Sequence, residues 1–460
     1  MCRNSWLRDV KIVASILLFV CCTDQTPPVE PTTGTHATTA ISATLPELVR
    51  QLASARGIVP LPRPPVVRPA LVHLGQALTF DKVLSGNRDI SCGTCHLPTF
   101  ATGDGKSLSV GQGATGLGPD RSHPQGVFIP RNAPSLFNLG AMKHLFWDGR
   151  VQLAADGNIQ TPAGSKISPA MARVFEFGAI SALGMFPVTN RAEMRAGAGN
   201  ELAEIADSEL PQIWSALMRR LGAIPEYRRM FEAAYPGQRF DDMTFAHASN
   251  AIGGFFVGRM TFANSPWDRF LAGQNDALTP AQLEGAHTFL SLKCSICYSG
   301  STFSDEQFHN VAVAQIGPGQ GNGESRRDDF GRMNVTGAAD DRYRFRSTPL
   351  RNVELTGPYG HDGAILTLRG FIEHYSESDK KLLAFDPSPL EPALRGTLLP
   401  NASAILAQRD TLLNGVVLTS DLVDRLMAYM TALTDAAARN IGSLTPDRVP
   451  SGLPVDRRRP

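Results

Sequence analysis

The stretch SCGTCH, residues 91–96, contains two cysteines separated by two residues and followed directly by a histidine. This is the C-x-x-C-H pattern through which haem c is attached to a protein. The spacing places both sulfurs on one side of a helical turn, and His96 then supplies an axial imidazole to the iron. A zinc site would need two further soft ligands nearby, and the remaining C-x-x-C pair is far away in the chain. Cys92 and Cys95 are therefore predicted to bond haem c covalently.

The rest of the chain predicts a mainly α fold. Helical periodicity is visible at residues 201–221, 245–259, 280–292 and 420–438, and loops rich in Gly and Pro separate these segments. Short helices around a macrocycle, with little sheet, are typical of cytochrome c domains. A thioredoxin-type dithiol would instead follow a strand in a βαβ unit. Because there are two C-x-x-C pairs, we expect two tandem cytochrome c-like haem domains with short helices and long Gly/Pro-rich loops.

The second cysteine pair, in the string LKCSICYSG, departs from the attachment pattern by one residue. Cys294 and Cys297 have the right spacing, but Tyr298 stands where the histidine is expected. Three outcomes stay open. In the first, Tyr298 ligates the iron, although a phenol oxygen reaches roughly 2 Å further from the backbone than an imidazole nitrogen. In the second, a nearby histidine (His309 or His374) replaces it. In the third, no haem is attached and the two cysteines close on each other as a disulfide.

The composition argues against nucleic acid as a partner, and the N-terminus indicates export. The chain has 460 residues and a formal net charge of +1, so it lacks the basic surplus of a nucleic acid binder. Basic residues precede a short apolar run that ends before Cys21 and Cys22, which is typical of a secretory signal. A membrane tether through a lipidated cysteine stays open. The predicted location is the periplasm.

A series of strings resembles the bacterial dihaem cytochrome c peroxidases, and more closely their MauG-like branch, over roughly residues 69–433. In chain order the strings are DISCGTCHLPTF, PRNAPSLFNLG, FWDGR, FPVTNRAEM, LKCSICYSG, FHNV and PLRNVELTGPYGHDGAILTLRGFIEHY. The series is far more specific than any one string alone. The resemblance and the composition together predict five parts of the chain. These are a signal peptide at 1–22, a flexible linker at 23–60, an N-terminal peroxidatic haem domain at 61–275, a second cytochrome c domain at 276–440 and a disordered tail at 441–460.

The resemblance implies roles for residues that pattern alone would leave as ordinary core or loop positions. Glu193 in FPVTNRAEM matches the acid that moves a proton between peroxide oxygens at the first haem. Trp147 in FWDGR matches the indole that relays electrons between the two haems. Asn132, Thr356 and Pro358 match the positions that hold a Ca²⁺ ion between the domains, through the oxygen donors that this ion prefers.

The resemblance also implies an unusual second haem. Tyr375, at the end of TLRGFIEHY, aligns with the distal iron ligand, which is a methionine in reductant-fed peroxidases and a tyrosine in MauG-like proteins. A phenolate is a hard anionic donor, so it stabilises oxidised iron where a thioether favours ferrous iron. Tyr375, and with less support Tyr298, are therefore the expected axial ligands of the haem on Cys294 and Cys297.

The expected function is that of a MauG-like dihaem peroxidase. Hydrogen peroxide reacts at the first haem, and oxidising equivalents pass through Trp147 and the second haem to an oxidisable Trp or Tyr of a partner protein or to a cytochrome donor. One alternative is a detoxifying peroxidase fed by a small c-type cytochrome. Another is a non-catalytic electron-transfer protein with a single haem. The expected cofactors are two haem c groups and a Ca²⁺ ion.

Overall fold

The computed structural model describes residues 43–458, so the predicted signal peptide, the candidate lipidation cysteines and the first part of the predicted linker lie outside the described residues. Short helices dominate this part of the chain, which confirms the mainly α fold. In chain order the helices are α1 Leu45–Ala55, α2 Pro69–Phe80, α3 Cys92–Cys95, α4 Pro169–Ala172, α5 Ala179–Leu183, α6 Leu210–Gly222, α7 Pro225–Ala234, α8 Phe245–Arg259, α9 Pro266–Leu271, α10 Pro280–Ser291, α11 Cys294–Cys297, α12 Met333–Thr336, α13 Leu368–His374, α14 Ser378–Leu383, α15 Pro392–Arg395, α16 Ala402–Ala407 and α17 Ser420–Ala432.

The strands are very short and form two small antiparallel sheets. The first sheet contains β1 His144–Leu145, β2 Val151–Leu153 and β3 Ile159–Gln160, and the second contains β4 Phe308–His309 and β5 Phe345–Arg346. Within residues 43–458, none of the helices combines the length and the apolar character needed to cross a bilayer.

The fold contains two closely packed helix pairs. The part of the fold around the first pair is called the first half below, and the part around the second pair is called the second half. Helix α2 packs against α8, and α10 packs against α17. A Cβ atom on Gly75 would lie 1.9 Å from the carbonyl oxygen of Ala251, and one on Gly285 would lie 2.1 Å from that of Arg425. Only glycine permits backbones to approach this closely. The cysteine turns lie beside these pairs, because α3 contacts α2 and α11 contacts α10.

Buried apolar side chains form a large cluster in each half. The first includes Leu74 and Phe255 of the α2–α8 pair. The second surrounds Tyr429, whose ring centroid lies 5.1 Å from that of Trp267 and 5.2 Å from that of Phe289. The division into haem domains between residues 275 and 276 stays a prediction, and the two clusters give each half its own core.

The expected flexible linker was wrong for residues 45–55, which form α1. Val49 and Ala53 of this helix are fully buried in the second cluster. The Arg50 guanidinium donates a hydrogen bond of 2.9 Å to the carbonyl oxygen of Phe270. Apolar residues four positions apart give the helix one face that packs against the core, and the Thr/Pro-rich composition of the preceding segment masked this signal.

The expected disordered tail was also wrong, because residues 441–458 form a segment packed against the first cluster, here called the C-terminal strap. Ile441, Leu444 and Val449 are buried there. The Ser451 hydroxyl donates to the Asp81 carboxylate at 2.6 Å. Widely spaced apolar side chains anchor the strap, although its Arg and Pro content is typical of disorder.

A buried ion network joins the two halves. The Arg131 guanidinium contacts the carboxylates of Asp148 in the first half and Asp329 in the second, each at 2.6 Å. All three side chains are less than 8% exposed. Because Asp148 directly follows Trp147, this network fixes the loop that carries the indole.

Candidate functional site

Contacts from three parts of the chain hold the first cysteine turn in place. The Ser91 backbone N–H donates to the Thr94 hydroxyl at 2.8 Å, which closes the N-terminus of α3. A Cβ atom on Gly93 would lie 2.4 Å from the ring of Phe80, so this ring packs directly against the turn. The Thr94 hydroxyl donates to Asp456 of the C-terminal strap at 2.5 Å. The turn between Cys92 and Cys95 is therefore fixed by groups from three parts of the chain.

The His96 ring is oriented for metal ligation. Its Nδ1 lies 2.7 Å from the carbonyl oxygen of Thr102, which can only accept, so Nδ1 carries the proton and Nε2 keeps its lone pair. Burial lowers the pKa of His96, which keeps the imidazole neutral. A second hydrogen bond on the far nitrogen is the usual device that orients a ligating histidine.

Glu193 is the predicted acid of the first site, and it lies within electrostatic range of the Cys92–Cys95 turn. Residues Arg191–Arg195 form a single π-helical turn, and Asn190, which caps its N-terminus, donates its side-chain amide to the Glu193 carboxylate at 2.9 Å. Burial raises the pKa of the Glu193 carboxyl, and the charges of Arg150 and Arg131 offset part of this effect. A buried carboxyl with a raised pKa thus lies within electrostatic range of Cys92 and Cys95, and its role in proton transfer stays a prediction.

The thiols of the first pair are free, and burial raises the pKa of Cys92 to about 12. The Glu193 charge contributes to the raised pKa of both Cys92 and Cys95, so the three groups lie within electrostatic range of one another. Two neutral thiols on one turn, followed by an imidazole with a free lone pair, fit covalent attachment and axial ligation of haem c.

Trp147 lines a large cavity that also contains the second cysteine pair. Its indole N–H donates to the carbonyl oxygen of Asn132 at 2.9 Å. The indole lines a cavity of about 470 Å³ whose walls also include Cys294, Cys297 and Tyr375. The predicted relay residue and the predicted second site thus share one cavity.

The two tyrosines predicted to ligate the second iron contact each other directly. The hydroxyl oxygens of Tyr298 and Tyr375 lie 2.5 Å apart, and the two rings meet edge to face with centroids 6.4 Å apart. Burial raises the pKa of both phenols well above the ordinary value, so both are protonated at neutral pH.

This geometry does not fit an iron between the two phenols. Metal–oxygen bonds of about 2 Å would hold two trans oxygens about 4 Å apart, and the observed separation of 2.5 Å is shorter. The cavity is large and contains both thiols, but its axial donors are bonded to each other. The second haem on Cys294 and Cys297 therefore stays a prediction that the observed side-chain positions do not support.

Neither nearby histidine is placed to replace the missing ligand. The His309 Nδ1 lies 2.6 Å from Asp410 and its Nε2 lies 2.9 Å from Asp305. Burial alone would lower the pKa of His309, but hydrogen bonds with Asp305, Cys297 and Asp410 raise it to about 11. The His374 Nε2 contacts the carbonyl oxygen of Val311 at 2.7 Å, and burial lowers its pKa to about 4.

The three predicted calcium positions line the same cavity. Asn132, Thr356 and Pro358 all line it together with Trp147. The Asn132 side-chain amide donates to the carbonyl oxygens of Lys106 and Ser107, at 3.0 and 3.2 Å, so its own oxygen points elsewhere. These residues offer neutral oxygen donors, which fit Ca²⁺ in type, and calcium stays a prediction.

The sequence did not predict the acidic partners of His309. Asp305 lies four residues before it and Asp410 lies 101 residues after it. The string FHNV marks the histidine, but no local pattern points to an acid that is so distant in the chain. The ion network of Arg131 was missed for the same reason.

Comparisons with known proteins agree with this picture. A family model described as di-haem cytochrome c peroxidase matches residues 69–276, a range that contains the first cysteine pair and ends before the second. The methylamine utilization protein MauG of Methylorubrum extorquens is 26% identical over 340 residues, which cover 73% of this chain and 78% of the relative. The cytochrome c551 peroxidase of Pseudomonas aeruginosa is 29% identical over 306 residues, covering 65% and 69%.

The fold is similar to that of solved structures as well. A MauG-like protein associated with microbial copper homeostasis superposes with a TM-score of 0.57 at 25% identity, covering 84% of this chain and 96% of that protein. The first haem motif, the mainly α fold and these relatives lead to one conclusion. The chain is similar to the dihaem cytochrome c peroxidases and the MauG-like proteins, and the match to the family model covers residues 69–276.

Proposed function

We propose that this chain is an exported, MauG-like haem peroxidase in which hydrogen peroxide reacts at the site of Cys92, Cys95 and His96. One observation carries the proposal: a neutral imidazole with a free Nε2 lies on the same turn as two free thiols, close to a buried carboxyl with a raised pKa. The bound haem would supply the electrons that reduce the peroxide O–O bond.

Glu193 carries out the proton transfer. Cleavage of hydrogen peroxide to water requires that the proton on the iron-facing oxygen move to the leaving oxygen. A carboxylate takes that proton and returns it to the other oxygen, and a pKa close to the working pH serves both steps. Burial moves the Glu193 pKa in this direction, and the hydrogen bond from Asn190 fixes the carboxyl.

Trp147 is the exit for oxidising equivalents. The hydrogen bond to Asn132 and the adjacent Arg131–Asp148 pair hold the indole at the wall of the second cavity, which supports this role. We propose that the final electron source is an oxidisable Trp or Tyr of a partner protein, or a slow cytochrome donor. By the resemblance, Tyr375 occupies the position of the methionine ligand of reductant-fed peroxidases, which argues against rapid turnover with a small cytochrome. If steady turnover of such a cytochrome with peroxide matched that of a dedicated peroxidase, the detoxifying alternative would replace this proposal.

The proposal also includes a Ca²⁺ ion with a structural role beside Trp147. The Asn132 carbonyl oxygen accepts from the Trp147 indole, and Asn132 lines the same cavity as Thr356 and Pro358. An ion bound by their oxygens would fix the position of the indole. Chelation is then expected to slow the exit of oxidising equivalents while the first reaction with peroxide is unchanged.

The test is rapid mixing of the haem-loaded protein with hydrogen peroxide, followed through the Soret band. Glu193→Gln is expected to slow the first phase by at least about 100-fold, which is the usual contribution of a positioned proton-transfer group. Glu204→Gln is the matched control, because Glu204 is an exposed carboxylate eleven positions later in the same segment. Equal rates for Glu193→Gln and the wild type would refute the proposal.

A further inference from the structure

Tyr298 changes what the second cysteine pair can bind. A phenol oxygen reaches roughly 2 Å further from the backbone than an imidazole nitrogen, which is about the length of one metal–ligand bond. Tyr298 lines the second cavity, and its side chain extends further than a histidine would. Its hydroxyl oxygen lies 2.5 Å from that of Tyr375, so the two phenols bond to each other. The Cys297 thiol is free, and its neighbours decide what else it can bind.

Cys297 lies in a group of three different donor atoms. Its sulfur, a carboxylate oxygen of Asp305 and a ring nitrogen of His309 all lie within 4.8 Å of one another. The Asp305 and His309 side chains are 17% and 12% exposed, so solvent reaches the group only at its edge. Around a tetrahedral ion the same atoms would lie about 3.5 Å apart, which requires only a small contraction.

The surrounding hydrogen bonds orient two of the three donors, His309 and Asp305. Asp410 accepts from the His309 Nδ1 at 2.6 Å, which leaves Nε2 on the side of Asp305 and Cys297. The Gln307 backbone N–H donates to one carboxylate oxygen of Asp305, so the other faces the histidine. A carboxylate behind a histidine is the usual outer partner of a metal-bound imidazole.

The backbone brings the two ends of the group together. The Asp305 N–H donates to the Cys297 carbonyl oxygen at 2.8 Å, which closes the loop after α11. The short pairing of β4 with β5 fixes His309 beside it. The group is therefore built from a closed loop and a strand rather than from freely moving side chains.

We propose that Cys297, Asp305 and His309 bind a divalent ion of the zinc type, with water in the fourth position. A thiolate, an imidazole and a carboxylate are the three donor classes that zinc accepts in proteins. Binding displaces the thiol proton of Cys297 to solvent and the ring proton of His309 from Nε2, while Asp410 keeps the proton of Nδ1 in its hydrogen bond. Since one sulfur cannot serve both as a thioether to haem and as a thiolate to zinc, the second site then contains zinc and no haem. Peroxide chemistry at the first site does not depend on this assignment.

The first experiment counts haem and zinc in the exported, haem-loaded protein. After dialysis against zinc-free buffer, we expect one covalent haem, located by peptide mapping on Cys92 and Cys95, and about one zinc ion per chain. Cys297→Ser and His309→Ala are expected to lose the zinc, and Cys294→Ser is the matched control that keeps it. The Soret band and the peroxide reaction of the first haem verify that each variant is folded.

The second experiment replaces zinc with Co²⁺ and does not depend on variant stability. A thiolate ligand gives cobalt a charge-transfer absorption, which is read as the difference between the cobalt and zinc forms of the same protein so that the haem spectrum cancels. The band is expected in the wild type and in Cys294→Ser. Two covalent haems per chain, a Cys294–Cys297 disulfide seen as a loss of two hydrogens in the intact mass, or absence of the thiolate band would each overturn the proposal.

Discussion

Replacing Arg131 with methionine tests the network that joins the two halves. Burial alone would raise the pKa of Asp148, but the charges of Arg131 and Arg150 lower it from 3.8 to about 2. This lowering corresponds to about 2.5 kcal/mol of stability at neutral pH. Arg131 also lowers the pKa of Asp329 against the effect of burial. Because Arg131→Met leaves two buried carboxylates without their main partner, we expect a loss of about 3–5 kcal/mol.

The loss of unfolding free energy in Arg131→Met should depend on pH, and the pKa shifts of the two buried carboxylates give its direction. The contribution of Asp148 is present above its unfolded pKa and disappears as the pH falls from about 4 to about 2. In Arg131→Met the buried Asp329 takes up a proton more readily, and a neutral carboxyl is less costly to bury. The difference in stability between the wild type and the variant should therefore shrink between neutral pH and about pH 5.

The assay is urea unfolding of the haem-loaded protein at both pH values, followed by far-ultraviolet circular dichroism. Arg150→Met is the control, because Arg150 contacts the same Asp148 carboxylate at 3.2 Å but is 24% exposed. The loss of unfolding free energy in Arg150→Met should stay near 1 kcal/mol, as for a partly exposed ion pair. If Arg131→Met were no more destabilising than Arg150→Met, or if its loss did not depend on pH, the reasoning about buried charge would be refuted.

Three further predictions concern single contacts. Tyr298→Phe leaves the buried Tyr375 hydroxyl without its partner, so we expect a loss of about 1–3 kcal/mol in urea unfolding and an unchanged spectrum of the first haem. Trp147→Phe should leave the first phase of the peroxide reaction unchanged and slow the later decay of the oxidised protein, measured by rapid mixing. Asp456→Asn weakens the contact to the Thr94 hydroxyl and should cost about 1–2 kcal/mol, and an unchanged melting temperature of the haem-loaded protein would contradict the role given to the strap.

Local motifs predicted the first site well because its chemistry is local. The two thiols and His96 lie within five consecutive residues, so their spacing alone predicts which atoms meet the porphyrin. The Nδ1 contact to Thr102 is also short in sequence, six residues away. The mainly α fold followed from the helical periodicity and the Gly/Pro-rich loops. These features need no knowledge of distant contacts.

Features that depend on distant contacts could not be read from the sequence. Nothing near His309 indicates Asp410, and nothing near Arg131 indicates Asp329, which is 198 residues away. The strap was taken for a disordered tail because composition reports average tendencies and not the few buried side chains that anchor a segment. The contact between Tyr298 and Tyr375 depends on ångström-scale placement, which an alignment of motifs does not provide.

The C-terminal strap has a consequence for the order in which the chain matures. Synthesis from the N-terminus delivers Cys92 and Cys95 long before residues 441–458, so the hydrophobic cluster around α2 and α8 is missing one edge during that interval. Asp456 can contact the Thr94 hydroxyl only after the strap has been synthesised. The first cysteine turn therefore stays accessible until the strap packs against it.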